Sequence, residues 1–122
     1  MTDSDKAKKE MDLDIALSHV DGDIQFLAEL AELFLQDYPR LVEEMRHAIL
    51  QNDHSELERA AHTLKGRLAF FGFNAMRDRL FTLEMMGRER DSVNTKQALA
   101  EIESAMGRIL PEFTALVRAQ GR

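Results

Sequence analysis

The feature that most constrains the fold of this chain is a long series of apolar residues spaced three and four positions apart. That spacing places them on one face of an α-helix, whereas a half-buried strand would show strict alternation. The series lies within residues 26–49 and consists of Phe26, Leu27, Leu30, Leu33, Phe34, Tyr38, Leu41, Val42, Met45 and Ile49. It predicts a long amphipathic helix that Pro39 either kinks at Asp37-Tyr38 or divides into two helices nearly in line.

Shorter apolar series with the same spacing predict the remaining helices. They lie within residues 11–20, 57–71, 76–86 and 99–117, and no segment shows a convincing strand pattern. Amphipathic helices joined by short connections pack most simply side by side, each antiparallel to the one before it. We therefore expect an all-α protein, an antiparallel up-and-down four-helix bundle with a short extra helix at the N-terminus.

Polar residues and glycines mark the expected ends of these helices. Asp23 and Asp53 stand where a side-chain oxygen can cap the following helix, and Asn74 is expected to cap the next one. Gly72 is expected to end the helix before it, because glycine is the usual residue at that position. Residues 87–94 are mostly polar or charged and are predicted to form a loop.

Length and composition limit the function classes. The 122 residues suffice for one domain with its own core, with 1–10 predicted as a flexible polar tail and 11–120 as the bundle. The absence of cysteine excludes disulfide and thiolate chemistry and fits a cytoplasmic protein. No apolar run approaches the roughly 20 residues that span a bilayer. The net charge of −6 disfavours binding to nucleic acid or to anionic membranes.

A histidine, a lysine and a glycine share one face of the helix predicted within residues 57–71. His62, Lys65 and Gly66 stand at i, i+3 and i+4 in Ala-His-Thr-Leu-Lys-Gly, opposite the apolar stripe. An imidazole is mostly neutral and nucleophilic at cellular pH. With a positive charge on one side and a residue without a side chain on the other, the imidazole is well placed to accept a phosphoryl group carried by another protein. Glu58, four residues before His62, is placed to orient the ring through a hydrogen bond.

Other interpretations of these residues remain open. His62 alone fits an ordinary surface histidine, and Lys65 with Glu58 fits a solvated pair of small energetic value. Gly66 inside a helix costs about 1 kcal/mol relative to alanine, which either close approach of a partner or a tight helix crossing explains. No HExxH or Cys/His spacing predicts a metal site. No GxxxxGK[ST] loop is present, so ATP binding and autophosphorylation are not expected.

The chain resembles the histidine-containing phosphotransfer (HPt) domains of bacterial multistep phosphorelays. The resemblance rests on residues 61–66 followed by Phe71-Gly72, and it covers most of residues 13–116. Further matching positions are Gly22-Asp23, Leu33-Phe34, Tyr38-Pro39, Ala48, Asp53, Leu80, Leu83-Glu84 and Gly87-Arg88. It implies a domain that takes a phosphoryl group from an aspartate of one receiver domain and passes it to another.

The resemblance also implies roles for individual residues. His62 matches the phosphorylated histidine, Lys65 the lysine beside it, and Gly66 the glycine that leaves room for the receiver. The implied partners are response-regulator receiver domains, which include those of hybrid histidine kinases. Mg²⁺ is expected on the receiver, while the chain itself is expected to be a monomer, a phosphoryl carrier that binds no cofactor.

Helix geometry predicts a docking surface for such a partner. It centres on His62, Lys65, Gly66 and Ala69. Its expected margins are Glu58, Arg59, Phe70 and Phe73, the last of them exposed near His62. The positions that depart from the usual residues of the family are Arg67, Leu68, Phe70 and Phe73. These departures bear on the identity of the partner more than on the chemistry.

Other functions share these features. A binding module could use the same face to sequester a receiver without transfer, although intact His62 and Lys65 weigh against this. The phosphoacceptor domain of a chemotaxis-type kinase has a similar motif, but the ATP-binding domain that would follow it is not in this chain. The dimerisation domain of sensor kinases fits less well, because Thr63 stands where glutamate usually follows the histidine.

Overall fold

Four long helices and one short helix make up the part of the chain that the structure describes. The structure is a computed structural model that describes residues 9–121, so the predicted tail lies mostly outside the described residues. Within this range the helices are α1 (Leu13–Ser18), α2 (Ile24–Leu50), α3 (His54–Phe70), α4 (Asn74–Arg88) and α5 (Thr95–Ala119). α2 packs against α3 and α5, and α4 packs against the same two helices. The predicted all-α bundle with a short N-terminal helix is confirmed.

α2 is one continuous helix although Pro39 lies inside it. Pro39 is exposed, whereas Leu41 and Met45 nearby are fully buried. The hydrogen bond that proline removes therefore falls on the solvent side, where water can satisfy the freed carbonyl. The alternative of two helices nearly in line is wrong. Pro111 is likewise exposed within a continuous α5.

Aspartates begin α2 and α3 as predicted. Asp23 accepts a hydrogen bond from the Phe26 amide at 3.0 Å, and Asp53 accepts one from the Glu56 amide at 3.1 Å. Each bond satisfies an amide that the first turn of a helix leaves unpaired. These caps fix where the two helices begin and thereby which of their faces turn inward.

The connection between α3 and α4 differs by one residue from the prediction. Gly72 has a φ of +79°, as expected of a glycine that follows a helix. Asn74, however, is the first helical residue of α4, and Phe73 takes the N-cap position without a side-chain hydrogen bond. The predicted Asn74 cap is wrong. The residue at the N-cap position is Phe73, whose apolar side chain is buried in the core and cannot cap the helix.

Gly87 lies inside α4 where that helix approaches α3, and not in the predicted loop. A Cβ at this position would lie 2.8 Å from the amide nitrogen of Glu58 and 3.0 Å from the carbonyl oxygen of His54. The missing side chain lets the two backbones approach closely. The loop is therefore shorter than predicted and comprises residues 89–94.

Four phenylalanines pack together in the core. Phe113 of α5 stacks on Phe34 of α2, with ring centroids 4.4 Å apart, and on Phe73 at 5.2 Å. Phe71 meets Phe113 edge-on at 4.9 Å. Such aromatic pairs add about 0.5–1.5 kcal/mol each beyond the burial of their area. The cluster anchors the C-terminal end of α3, the helix that carries the histidine motif of residues 61–66, against α2 and α5.

Candidate functional site

His62 lies on the outward face of α3, and 65% of its side chain is exposed. This orientation follows from the apolar stripe on the opposite face, where Ala61, Leu64 and Leu68 are fully buried. The predicted solvent-facing position of His62 is confirmed.

A buried carboxylate from α4 holds the His62 ring. Oε2 of Glu84 lies 3.0 Å from Nδ1 of His62, and only 5% of the Glu84 side chain is exposed. An ionised carboxylate can only accept hydrogen bonds, so Nδ1 is the donor. In a neutral imidazole the other ring nitrogen then carries the lone pair. In the neutral ring this contact therefore leaves the lone pair on Nε2, on the exposed side chain.

Lys65 binds the same carboxylate. Its Nζ lies 2.7 Å from Oε1 of Glu84 and 5.1 Å from the centroid of the Phe81 ring on α4. Burial alone would raise the pKa of Glu84, but the contacts with Lys65 and His62 outweigh burial and hold that pKa below its usual value. Glu84 is therefore ionised at neutral pH and can serve both partners as an anion.

Glu58 does not hold the imidazole, contrary to the interpretation of its spacing. Its Oε2 accepts a hydrogen bond from Nε of Arg88 at 2.8 Å, which directs it toward α4. The four-residue spacing from His62 places Glu58 on a neighbouring turn of α3. The His62 ring nevertheless forms its hydrogen bond with Glu84 on the adjacent helix, so Glu84 orients the ring instead of Glu58.

Gly66 is exposed and borders open space. Leaving aside the local backbone of the helix, no heavy atom lies within 4 Å of a Cβ built at this position. The tight helix approach that was one explanation for Gly66 occurs instead at Gly87. The open space at Gly66 agrees with the other explanation, that the glycine allows a partner to approach closely.

An apolar groove of about 840 Å³ lies between α2 and α3, next to His62. Leu30 and Leu33 line it from α2, and Gly66 and Phe70 line it from α3. Leu33 belongs to the apolar stripe of α2, yet it is 58% exposed. An exposed apolar lining of this kind is typical of a surface that contacts another protein or a ligand.

Of the four other predicted docking residues, Phe70 lines this groove, whereas Ala69 and Arg59 lie elsewhere on α3. Phe70 is half-buried in the groove wall and stacks on His19, with ring centroids 4.7 Å apart. Ala69 is half-buried on α3. Arg59 is exposed one turn before His62, and its guanidinium pairs with Glu44 of α2 at 2.7 Å.

Phe73 is fully buried against Phe113, so the expectation that it is exposed near His62 is wrong. The turn at Gly72 directs its side chain into the core. Leu68 is also fully buried. Arg67 instead reaches the edge of the groove, where it pairs with Asp37 of α2.

No metal cluster and no membrane span is found in the described part of the chain. Among residues 9–121, no three His, Cys, Asp or Glu side chains are grouped so as to hold a metal ion. No helix in that range is long and apolar enough to cross a bilayer.

Comparison with protein families decides the identity of the fold. A model of the Hpt domain matches residues 29–112, which include all of α3 and α4. The chain belongs to the Hpt family. An Hpt domain implies phosphotransfer through a histidine in a phosphorelay, with receiver domains as the interaction partners. Searches among curated proteins and among solved structures found no match.

Two residues that contact His62 or Lys65 in this Hpt domain were not predicted as site residues from the sequence. Glu84 and Phe81 lie on α4, one helix away from His62, so no spacing along α3 connects them to the motif. The sequence nevertheless marks Glu84 as unusual, because it lies on the same helical stripe as the buried Leu80, Leu83 and Gly87, spaced i, i+3, i+4 and i+7. A charged residue on a buried stripe requires a partner. The partners of Glu84 here are His62, Lys65 and, at 3.7 Å, Arg88.

Proposed function

We propose that this Hpt domain carries a phosphoryl group on Nε2 of His62 between aspartates of receiver domains. The observation that carries the proposal is the hydrogen bond between Nδ1 of His62 and the ionised Glu84. It assigns the lone pair to the exposed nitrogen, which a receiver can reach.

The transfer step conserves atoms and charge. The Nε2 lone pair attacks the phosphorus of an aspartyl phosphate on the donor receiver, and an N–P bond forms. The P–O bond breaks, and its electron pair stays on the departing carboxylate. The Nδ1 proton remains on the ring, which gains positive charge. Transfer to an aspartate of a second receiver reverses these changes and restores the neutral imidazole.

Glu84 and Lys65 stabilise the two charges that this step redistributes. Glu84, 3.0 Å from Nδ1, faces the positive charge that develops on the ring. Lys65 is expected to offset the negative charge on the phosphoryl oxygens in a loose transition state. Both residues lie on helices of the bundle, which restricts their backbone positions more closely than loops would.

The receiver is expected to supply the remaining chemistry. We expect Mg²⁺ to arrive in the acidic pocket of the receiver, while this chain contributes no nucleotide or cofactor of its own. The apolar groove and the open surface at Gly66 support docking of the receiver at His62. We expect this exchange between the domain and its receivers to take place in the cytoplasm.

Transfer of label from a phosphorylated cognate receiver tests the proposal. Acid-labile label is expected to move to the wild-type domain and to His47→Gln, which alters an exposed histidine of α2, but not to His62→Gln. Label that stays on the receiver, or that reaches His62→Gln, would contradict the proposal. Tight binding of the receiver without any transfer would instead favour a sequestering module.

A further inference from the structure

Phe81 presents a large aromatic ring to solvent beside the phosphoacceptor site. It is 49% exposed, although its neighbours Leu80 and Leu83 on α4 are fully buried. The ring is thus not part of the core. Its described contact is with Lys65, whose Nζ lies 5.1 Å from the ring centroid. A cation within about 6 Å of an aromatic face is attracted by the ring quadrupole.

We propose that Phe81 is a positioning residue for Lys65 and acts on phosphoryl transfer through that lysine. The inference rests on the proposed function and adds a residue to it. Lysine has a long, flexible stem, so an unrestrained ammonium would occupy many positions around His62. The ring of Phe81 and the carboxylate of Glu84, which is 2.7 Å from Nζ, together restrict the ammonium to one region.

The two contacts leave part of the ammonium available. An ammonium has three N–H donors, and Glu84 faces only part of it. The attraction to Phe81 depends on charge and does not require a directed hydrogen bond. Donors therefore remain for the phosphoryl oxygens when they arrive. A second carboxylate in place of the ring would instead compete with those oxygens for the same donors.

This arrangement predicts an effect on the transfer step rather than on docking. Loss of the ring removes a restraint on Lys65 and leaves its charge, its pairing with Glu84 and the groove residues in place. A contact of this kind at an exposed site corresponds to a rate change of about two- to fivefold. Phe81→Leu should therefore slow transfer at saturating receiver by about that factor, with an unchanged half-saturating receiver concentration.

Nuclear magnetic resonance of the Lys65 side chain tests the contact without any phosphorylation. The ring current of Phe81 should shift the ε-methylene protons of Lys65 upfield in the wild-type domain. Phe81→Leu is expected to remove this shift, and Phe81→Tyr is expected to retain it. Phe26→Leu is the matched control, because Phe26 is 47% exposed on α2 and is the same type of residue. An unshifted Lys65 in the wild-type domain overturns the inference.

Single-turnover transfer from a phosphorylated receiver completes the test. The expected result is slower transfer for Phe81→Leu and a wild-type rate for Phe81→Tyr and Phe26→Leu. A higher half-saturating receiver concentration with an unchanged maximal rate overturns the inference, since it makes Phe81 a docking contact. If the wild-type domain is active and Phe81→Leu transfers at the same rate, the positioning role of Phe81 is overturned and the proposed function is not. A wild-type domain that accepts no label on His62 instead refutes the proposed function.

Discussion

Oε2 of Glu84 lies 3.0 Å from Nδ1 of His62, although the two residues are 22 positions apart on different helices. The contact depends on how closely α4 approaches α3, and Gly87 permits that approach one turn after Glu84. The orientation of the nucleophile is therefore a consequence of helix packing as well as of the motif that contains it.

Removal of the Glu84 carboxylate should slow phosphoryl transfer. A hydrogen bond to a charged group contributes about 1.5–3 kcal/mol, so Glu84→Ala is expected to lower the single-turnover rate about ten- to hundredfold. Glu84→Gln keeps an acceptor oxygen but loses the charge, and its rate should lie between those of Glu84→Ala and the wild type. A wild-type rate for Glu84→Ala would show that the ring needs no orienting carboxylate.

The stability of the bundle should fall in acid as Glu84 is protonated. Burial opposes ionisation, but the contacts with Lys65 and His62 prevail and hold the pKa of Glu84 in the folded state below its ordinary value of 4.5. The unfolded chain therefore binds this proton more readily, and the stabilisation is present above pH 4.5. It is lost as the pH falls through the lower pKa of the folded state. The urea midpoints of the wild type and Glu84→Gln should converge in that range, and a constant difference would contradict this account.

Three helical glycines should respond differently to alanine. A Cβ at Gly66 or Gly107 meets nothing within 4 Å, whereas a Cβ at Gly87 would lie 2.8 Å from the amide nitrogen of Glu58. Gly66→Ala and Gly107→Ala should stabilise the bundle by about 0.5–1 kcal/mol, because alanine favours helix. Gly87→Ala should destabilise it by about 1–3 kcal/mol through the forced backbone shift. Equal effects in denaturant titrations would refute the assignment of the close approach to Gly87.

A large side chain at Gly66 should block transfer while the domain stays folded. Gly66→Trp places an indole on the open surface one turn after His62, where we expect the receiver to approach. Helicity measured by circular dichroism should be close to that of the wild type, whereas transfer from a phosphorylated receiver should be largely lost. Gly107→Trp, on the exposed face of α5, is the matched control. Normal transfer by Gly66→Trp would count against the access argument.

Truncation of Leu33 should weaken receiver binding with little effect on stability. Leu33 is 58% exposed and lines the groove, while Leu50 is 62% exposed at the end of α2 outside it. Either alanine variant should change the unfolding free energy by less than about 0.5 kcal/mol, as expected for surface positions. Only Leu33→Ala should raise the receiver concentration needed for half-maximal transfer. An equal effect of both variants would exclude the groove as the docking site.

Periodicity along the chain predicts much of the fold and part of the site. The stripe that includes Ala61, Leu64 and Leu68 is buried, and this alone turns His62 toward solvent. Asp23 and Asp53 begin their helices because capping is a local interaction. The properties predicted correctly are those that depend on residues within a turn or two of one another.

Some of the errors concern contacts between elements, and others, at Pro39 and Asn74, concern the local backbone. Glu58 has the spacing to reach His62, but the position of Glu84 under the ring depends on the register of α4 against α3, which periodicity does not encode. Phe73 follows a glycine whose positive φ redirects the chain, so extending the pattern of α3 to that residue misplaces its side chain. Pro39 leaves α2 continuous because it lies on the exposed side.

Identification of the phosphorylated nitrogen tests the central claim most directly. The domain, labelled with ¹⁵N in its histidines, would be phosphorylated by a cognate receiver and examined by ³¹P and ¹⁵N magnetic resonance. We predict phosphorus bonded to Nε2 of His62, with the proton retained on Nδ1 toward Glu84. Phosphorus bonded to Nδ1, or to any other histidine while His62 stays unmodified, would contradict this account.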